Sequence, residues 1–384
     1  MSWEKINLGE IAEFKNGLNF SKDQYGPGVK YISVADFKDY FSAKIEGLAE
    51  LKEDFITDSY FLKEGDILFV RSNGNKELVG RNLYIENAIE PITFSGFCIR
   101  ARFTYKDVLP RFYAYLFNSK FFRNTLSNNA GGTNINNLNQ GILSNLIIPK
   151  PPLTTQHRIA SILSAYDDQI ENNLKRIKLF EEKVNMNYKL LDKIEKYKLS
   201  DLYDTSSGGT PSRTNAEYFD GEINWFKSKE LDDSILLKSE EKITESAVDK
   251  SSAKLFPNGS VVMAMYGTTI GKLGLLSMPS TTNQACCAII QKDKIKSNYY
   301  IFNWLLENRE YILSFRMGAA QENISQMVIK NLLVTVPTNR DLKLFNKEVE
   351  PIYQLIKNLH IQNTKLREAR DILLPRLMSG EIGV

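Results

Sequence analysis

Polar and basic side chains, mixed with aromatic ones, follow strand-like segments in both halves of this 384-residue sequence. Arginine, asparagine, glutamine and lysine can donate hydrogen bonds to base edges, while threonine and lysine can bind phosphates. Any one of these residues alone could be an ordinary exposed loop residue, but both halves carry such a group after the same strand. We therefore predict a DNA-contacting surface formed by Arg71, Asn73, Asn75, Lys76, Arg81 and Asn134 in the first half and Arg213, Lys227, Lys229, Tyr266, Thr268, Thr269, Lys272 and Gln321 in the second.

Residues that could carry out bond chemistry do not form a specific motif. Asp232, Glu240 and Lys242 could imitate the carboxylates and lysine of a metal-dependent nuclease. So loose a pattern is more typical of a charged, solvated loop. The segment 267–272 resembles a phosphate loop but has three residues between its glycines instead of four. The sequence therefore predicts no catalytic centre.

Histidine and cysteine are scarce. His157 and His360 lie far apart in helical stretches, without a cysteine or carboxylate at metal-ligand spacing. Cys286 and Cys287 lack the CxxC spacing of a zinc or redox site, and Cys98 is the one other cysteine in the sequence. We therefore predict neither a metal site nor a disulfide framework, which suits a reducing cytoplasm.

The composition is that of an ordinary globular protein. Hydrophobic residues make up 42% and charged residues 25%, and the formal net charge is only +3. No segment approaches the roughly 18 consecutive apolar residues of a membrane span, and the charged first residues do not resemble a signal peptide. We expect a cytoplasmic protein in which any basic DNA-binding face is local.

Most of the sequence is an internal duplication. Matching segments recur in the same order with small changes in spacing, as expected for two diverged copies with short insertions and deletions. The matched pairs are 8–11 with 199–202, 64–68 with 258–262, and 144–148 with 330–334. The strands predicted at 67–70 and 261–264 and the short helices predicted at 110–119 and 297–307 give each copy an α+β domain rich in loops.

Each copy ends in a long helical stretch with a heptad pattern. One seam contains Leu163, Ile170, Ile177, Val184 and Leu191, and the other contains Phe345, Ile352, Leu359, Leu366 and Leu373. Such stripes can bury each other in a coiled coil. Because the chain must pass through the second domain before it returns, an antiparallel pair is favoured over separate linkers or homodimerising helices.

The same heptads predict a register. In an antiparallel pair, facing residues have a constant sum of residue numbers, and a sum of 536 places apolar residues together in every layer of the two seams. This register also places Asn173 opposite Asn363. A buried polar pair that satisfies its own hydrogen bonds specifies register at some cost in stability. The alternative is that both asparagines point to solvent.

The whole layout resembles a specificity (S) subunit of a type I restriction–modification enzyme. The resemblance rests on IPKPPL at 148–153 followed by Gln156, on LLPRLMSGEI at 373–382, and on GGTPS at 208–212 followed by Trp225. The second copy departs from the family's Pro-Pro-Leu pattern, because it has Pro-Thr-Asn at 337–339.

The resemblance implies a non-catalytic DNA-recognition subunit. Its segments would be a target-recognition domain at 1–152, a long helix at 153–198, a second target-recognition domain at 199–339, and a long helix at 340–384. Each domain would read one half of a split, asymmetric double-stranded DNA site. The helices would set the spacing and dock two methyltransferase subunits.

The implied partner subunits supply the chemistry. The methyltransferase subunits would bring S-adenosylmethionine, and restriction subunits would join that core. ATP and magnesium are likewise expected on the partner subunits, and no cofactor is expected in this chain. The alternatives are a specificity subunit of a related, type IIB-like system and a stand-alone nuclease.

Overall fold

The computed structural model describes residues 3–38, 41–72, 78–129, 137–318 and 322–384. The chain divides into two compact units. The first contains Met1–Glu171 and Lys365–Val384, and the second contains Asn172–Thr364. Each unit therefore combines one loop-rich domain with a stretch of both long helices.

The first unit is built on three sheets. A four-stranded antiparallel sheet has the order β2-β8-β5-β6, a three-stranded sheet has the order β4-β3-β7, and β1 pairs with β9 in a ribbon. The elements are β1 (Glu4–Asn7), β2 (Ala12–Asn16), β3 (Tyr25–Ile32), β4 (Glu50–Leu51), β5 (Ile67–Val70), β6 (Asn82–Tyr84), β7 (Ile92–Phe94), β8 (Cys98–Phe103), α1 (Pro110–Asn118), α2 (Lys120–Asn129), α3 (Gln140–Ser144), β9 (Ile147–Lys150) and the long helix α4 (Leu153–Lys189).

The second unit repeats this plan. Its sheets have the orders β11-β18-β15-β16-β13 and β14-β12-β17, and β10 pairs with β19 in a ribbon. The elements are β10 (Glu195–Lys198), α5 (Leu199–Leu202), β11 (Tyr203–Ser207), β12 (Ile223–Phe226), β13 (Ser234–Leu236), β14 (Glu241–Ile243), α6 (Glu245–Lys250), β15 (Val261–Ala264), β16 (Leu273–Leu276), β17 (Thr281–Thr282), β18 (Cys286–Gln291), α7 (Asn298–Glu307), α8 (Arg309–Leu313), α9 (Gln326–Lys330), β19 (Leu333–Val336) and the long helix α10 (Asn339–Met378).

In each unit a short helix joins the sheet to the long helices. Phe112 and Tyr113 of α1 are fully buried in one apolar cluster with Ile159 and Leu163 of α4. In the second unit, Tyr300 of α7 is buried with residues of both long helices. This burial of apolar surface is what holds each domain on its helix stretches. The predicted α+β class, with two loop-rich domains and two long helices, is confirmed.

The predicted extent of the first long helix is wrong at its C-terminal end. The helix ends at Lys189 instead of residue 198, and Glu195–Lys198 form β10, whose register runs from Glu195 opposite Val336 to Lys198 opposite Leu333. Lysine and glutamate favour helix locally, but hydrogen bonding to a distant strand overrides that preference. The match of 8–11 with 199–202 has an offset of 191, and the same offset aligns β1 (Glu4–Asn7) with residues 195–198. The repeat therefore already indicated a strand here.

The second long helix also ends earlier than predicted. It stops at Met378, and the remaining residues to Val384 are outside it. Gly380 has a φ of 72°, a conformation that glycine commonly adopts just after a helix ends. Its N–H group donates to the carbonyl oxygen of Leu377 at 3.2 Å and so closes the last turn.

Within each unit the two long helices run antiparallel. In the first unit, Arg370 contacts Asp167 at 2.5 Å. In the second unit, Asn187 donates to Glu348 at 3.2 Å. The residue numbers add to 537 in the first pair and to 535 in the second, so both lie within one residue of the predicted register of 536.

The two predicted asparagines face each other in the second unit. The Asn173 Nδ2 atom donates to the Asn363 Oδ1 atom at 2.9 Å, and the two residues are 0% and 1% exposed. The Nδ2 atom of Asn363 has no hydrogen-bond partner among the described residues. The pair is therefore buried and only partly satisfied, so it disfavours registers that would bury either asparagine against an apolar residue.

Candidate DNA interface

Two predicted arginines of the first unit lie at the adjoining ends of β5 and β6. Arg71 follows β5, and its N–H group donates to the carbonyl oxygen of Phe97 at 2.8 Å. The carbonyl oxygen of Arg81 accepts from the N–H group of Val70 at 2.9 Å. The backbone of both arginines is thus fixed by the sheet. Asn73, Asn75, Lys76 and Asn134 lie outside the described residues.

Arg81 lines a basic cavity that the sequence analysis did not find. The cavity has a volume of about 440 Å³ and is lined by four further cationic side chains, by aromatic rings, and by the carboxylate of Asp371. Lys38 and Lys120 form no ion pair within the described parts of the chain. These four cations come from three distant segments, because Lys120 and Arg123 share α2: Lys38, Lys120, Arg123 and Arg370. A cluster assembled from such distant segments leaves no local signal in the sequence.

Three predicted basic residues of the second unit are held by carboxylates. Arg213 contacts both carboxylate oxygens of Glu241, Lys227 contacts Glu241, and Lys229 contacts Glu240 at 2.6 Å. The sequence analysis did not foresee these pairs. They form because β14, which begins at Glu241, pairs with β12, which leads into Lys227.

The central carboxylate of this group stays ionised. Hydrogen bonds from Arg213 and Lys227 lower the pKa of Glu241 to about 2. The Arg213 guanidinium also lies 4.2 Å from the centroid of the Phe219 ring and 5.1 Å from that of Trp225. Cation–π contact and ion pairing together fix the guanidinium in one place at neutral pH.

Lys272 is held by an aspartate with an unusual backbone. Asp233 has a φ of 71°, and its carboxylate contacts Lys272 and Arg309, each at 2.5 Å. Burial of Asp233 opposes its ionisation, but hydrogen bonds from Arg309 and Lys272 keep its pKa below the usual value. Lys272 therefore anchors the β15–β16 loop to α8 and to the turn before β13.

Tyr266, Thr268 and Thr269 lie in the loop that Lys272 anchors. A 3₁₀ turn spans Gly267–Thr269, and the side chain of Thr268 is exposed. Tyr266 is 37% exposed. These hydroxyl groups form an accessible polar loop tip, whereas Gln321 lies outside the described residues.

No catalytic or metal site is found in the described residues. Within the described ranges, no three or more histidine, cysteine and acidic side chains come together as metal ligands. The nuclease-like set is not assembled, because Glu240 contacts Lys227 and Lys229 while Lys242 contacts Glu222. Burial raises the pKa of the Cys98, Cys286 and Cys287 thiols. Among the described helices, none is both long and apolar enough to cross a membrane.

The family of the chain follows from comparison with known proteins. The family model described as "Type I restriction modification DNA specificity domain" matches residues 1–179 and again residues 192–367. The two matches correspond to the two copies seen in the sequence. The chain therefore belongs to this family, and its role is DNA sequence specificity in a type I restriction–modification system.

Individual relatives agree with this assignment. The chain is 24% identical to the type I restriction enzyme MjaIX specificity subunit of Methanocaldococcus jannaschii, over 100% of the chain and 94% of the relative. It is 27% identical to the HindI specificity subunit of Haemophilus influenzae, over 48% and 40% of the two chains. The crystal structure of the type I S subunit from M. genitalium has the same fold, with a TM-score of 0.59 and 15% identity over 98% and 96% of the chains. These matches do not favour a type IIB-like system or a stand-alone nuclease.

Proposed function

We propose that each recognition domain reads one half of a split, asymmetric site in double-stranded DNA, and that the long helices set the distance between the halves. The duplication carries this proposal, because each unit repeats a four-strand order, a three-stranded sheet, a ribbon and a connecting helix on its own stretch of the long helices, with β13 added in the second unit. Two diverged copies can read two different short sequences, as a dimer reads two half-sites.

The base-contacting residues of the proposal lie in the loops after corresponding strands. In the first unit these are Arg71 and Arg81, which follow β5 and precede β6. In the second unit they are Tyr266, Thr268 and Thr269, in the loop after β15. The paired residues Arg213, Lys227, Lys229 and Lys272 would support this surface and bind phosphates. Asn73, Asn75, Lys76, Asn134 and Gln321 remain predictions.

The long helices also offer surface to a partner. Leu179 and Met186 lie seven residues apart on α4 and are 63% and 61% exposed, and Leu190, which directly follows the helix, is 84% exposed. Exposed apolar side chains that share a helix face are typical of protein-binding surfaces. We propose that methyltransferase subunits dock here.

The stoichiometry of two methyltransferase subunits is supported by the repeat. Ile147 and Leu333 occupy the same position in the two ribbons, and both are exposed, at 55% and 49%. Met186 and Ile372, which have the same sequence offset, are exposed at 61% and 58%. One partner type could therefore meet an equivalent surface in each unit.

In this proposal the chain has no catalytic activity and works in the cytoplasm. S-adenosylmethionine would be bound by the methyltransferase subunits, and ATP and magnesium by the restriction subunits. This division of labour is supported by the family of the chain and by its lack of a catalytic motif.

Sequencing the modified bases of a host that makes this chain together with a methyltransferase subunit tests the proposal. We expect one split, asymmetric sequence to be methylated, and no methylation when either protein is made alone. Methylation of a continuous short sequence would contradict the two-domain reading. DNA cleavage or methylation by the isolated chain would contradict its non-catalytic role.

A further inference from the structure

A polar contact joins the first recognition domain to both long helices. The carboxylate of Asp167 in α4 accepts from the Tyr115 hydroxyl at 2.7 Å through Oδ2 and from Arg370 of α10 at 2.5 Å through Oδ1. Its two oxygens thus serve two different elements. The side chain of Asp167 is 14% exposed, and Tyr115 is 2% exposed.

A second ion pair lies one residue further along α4. Arg111 of α1 contacts Asp168 at 3.2 Å and Glu86 at 3.1 Å. Burial and the nearby Asp167 raise the pKa of Tyr115, so its hydroxyl keeps its proton and acts as the donor. The short helix α1 is therefore tied to α4 at two positions by charged groups.

The second copy provides an internal comparison. Tyr115 and Asn303 are the sixth residues of α1 and α7, and Asp167 and Tyr353 share the sequence offset of the repeat. There the Asn303 Nδ2 atom donates to the Tyr353 hydroxyl at 2.7 Å, and the ring of Tyr299 stacks on that of Tyr353 at 4.4 Å. The same positions therefore join domain to helix in both copies, with charges in the first and neutral aromatic groups in the second.

Besides the Arg111–Asp168 pair, Gln156 at the start of α4 makes directional contacts with the domain: it accepts from the N–H group of Leu109 at 2.8 Å and donates to the carbonyl oxygen of Asp107 at 3.0 Å. These contacts lie on α4 alone, whereas Asp167 joins the domain to both long helices.

Much of the remaining junction is apolar. Phe112 and Tyr113 pack on Ile159 and Leu163 through apolar contacts, which are strong but have little directional preference. Hydrogen bonds to a carboxylate depend on distance and angle. Small rotations of the domain on the helices would leave the apolar burial almost unchanged but would break the contacts of Asp167.

We propose that Asp167 is a positioning residue that fixes the orientation of the first recognition domain on the helices and thereby restricts the spacer length that the chain accepts between its half-sites. This inference rests on the proposed function. Asp167 contacts no DNA in this account; it acts through Tyr115 and Arg370.

The test uses the full chain in complex with its methyltransferase subunits. Methylation rates are measured on the recognised DNA and on two versions with the spacer shortened or lengthened by one base pair. Asp167→Asn removes the charge with little change of shape, and Tyr115→Phe removes the hydroxyl group that donates from the domain to the helix. Glu381→Gln is the matched control, because Glu381 also contacts an arginine of α10, Arg376, at 3.8 Å, but it is 65% exposed and does not line the basic cavity.

For Asp167→Asn and Tyr115→Phe we expect the preference for the original spacer over the altered ones to fall by roughly tenfold, a change that corresponds to about 1.4 kcal/mol. Glu381→Gln should keep the wild-type preference. An equal loss of rate on all three DNAs, or unchanged preference in Tyr115→Phe, would overturn the inference. If the wild-type complex methylated no split site at all, the proposed function would fail, and the inference with it.

Discussion

At the scale of single residues, acidic side chains accompany the basic ones in the second recognition domain. Arg213, Lys227 and Lys229 share two glutamates, and Lys272 shares Asp233 with Arg309. The pairs of Arg213 and Lys229 with these glutamates are largely exposed, and such pairs contribute only about 0–1 kcal/mol. A DNA phosphate can therefore replace a glutamate at little cost, and the pairs keep the long side chains in place until DNA binds.

Glu241→Gln tests this role of the glutamates. The change removes the charge that neutralises Arg213 and Lys227, so we expect tighter DNA binding by the complex. We also expect a steeper salt dependence, by about one unit in the slope of log K against log salt. Glu222→Gln, which only frees the half-exposed Lys242, is the control. Weaker binding by Glu241→Gln would show instead that the glutamate orients Arg213 for recognition.

Lys120→Ala tests the basic cavity of the first unit. Because Lys120 lines this cavity without an ion pair in the described structure, we expect it to bind a phosphate. Loss of such a contact should weaken binding to all DNA sequences alike and reduce the salt slope by about one unit. Lys22→Ala, an exposed change outside the cavity, should leave both unchanged. A change of recognised sequence would contradict a phosphate-binding role.

Some functional positions could be predicted from the sequence, but the side chains that contact them could not. Loop positions such as Arg71 and Thr268 could be predicted because polar residues there follow recognisable strands. The partners of Lys227 and Lys272 could not, since strand pairing and an aspartate with positive φ bring those carboxylates close. The contacts of Asp167 could not be predicted either, because they join residues of three separate helices, α1, α4 and α10.

At the scale of elements, the heptad pattern predicted the helices and their register but not where they end. The sum of 536 could be derived because it aligns apolar residues along both seams and at the same time places Asn173 opposite Asn363. The end of α4 could not, because the side chains of β10 are all exposed and carry no alternation. That strand is defined by its hydrogen bonding to β19 and by its alignment with β1 in the repeat.

Replacing the asparagine pair tests its effect on the helices. Asn173→Leu alone leaves Asn363 buried without its donor, so we expect the free energy of unfolding to fall by about 1–3 kcal/mol. The double change Asn173→Leu with Asn363→Leu should recover most of that stability. Denaturant unfolding of the three proteins measures both effects. A single variant as stable as wild type would mean that the pair does not determine register.

An insertion tests the helices as a spacer. Four extra residues near Lys175 would lengthen α4 by ~6 Å and rotate its two ends by slightly more than one turn relative to each other. We expect the methyltransferase complex to accept a different spacer length or to lose activity. Four substitutions to alanine at exposed positions nearby serve as the control. Full activity of the insertion variant on the original site would contradict the spacer role.

At the scale of the whole molecule, one plan used twice explains both the fold and the function. Each unit has its own sheets, its own ribbon, and its own apolar cluster with the long helices. Residues that face the helices are held by packing, whereas loops that face away can vary without loss of the core. The modular plan therefore predicts that one recognition domain can be exchanged without changing what the other reads.

Exchange of residues 1–152 for the same region of a relative with a different site tests this account most directly. The hybrid is made with the methyltransferase subunits, and the methylated sequences of the host are determined. We predict that the half-site read by the first domain changes to that of the relative, while the other half and the spacer stay as in the parent. Recognition in which both halves change together would contradict the account.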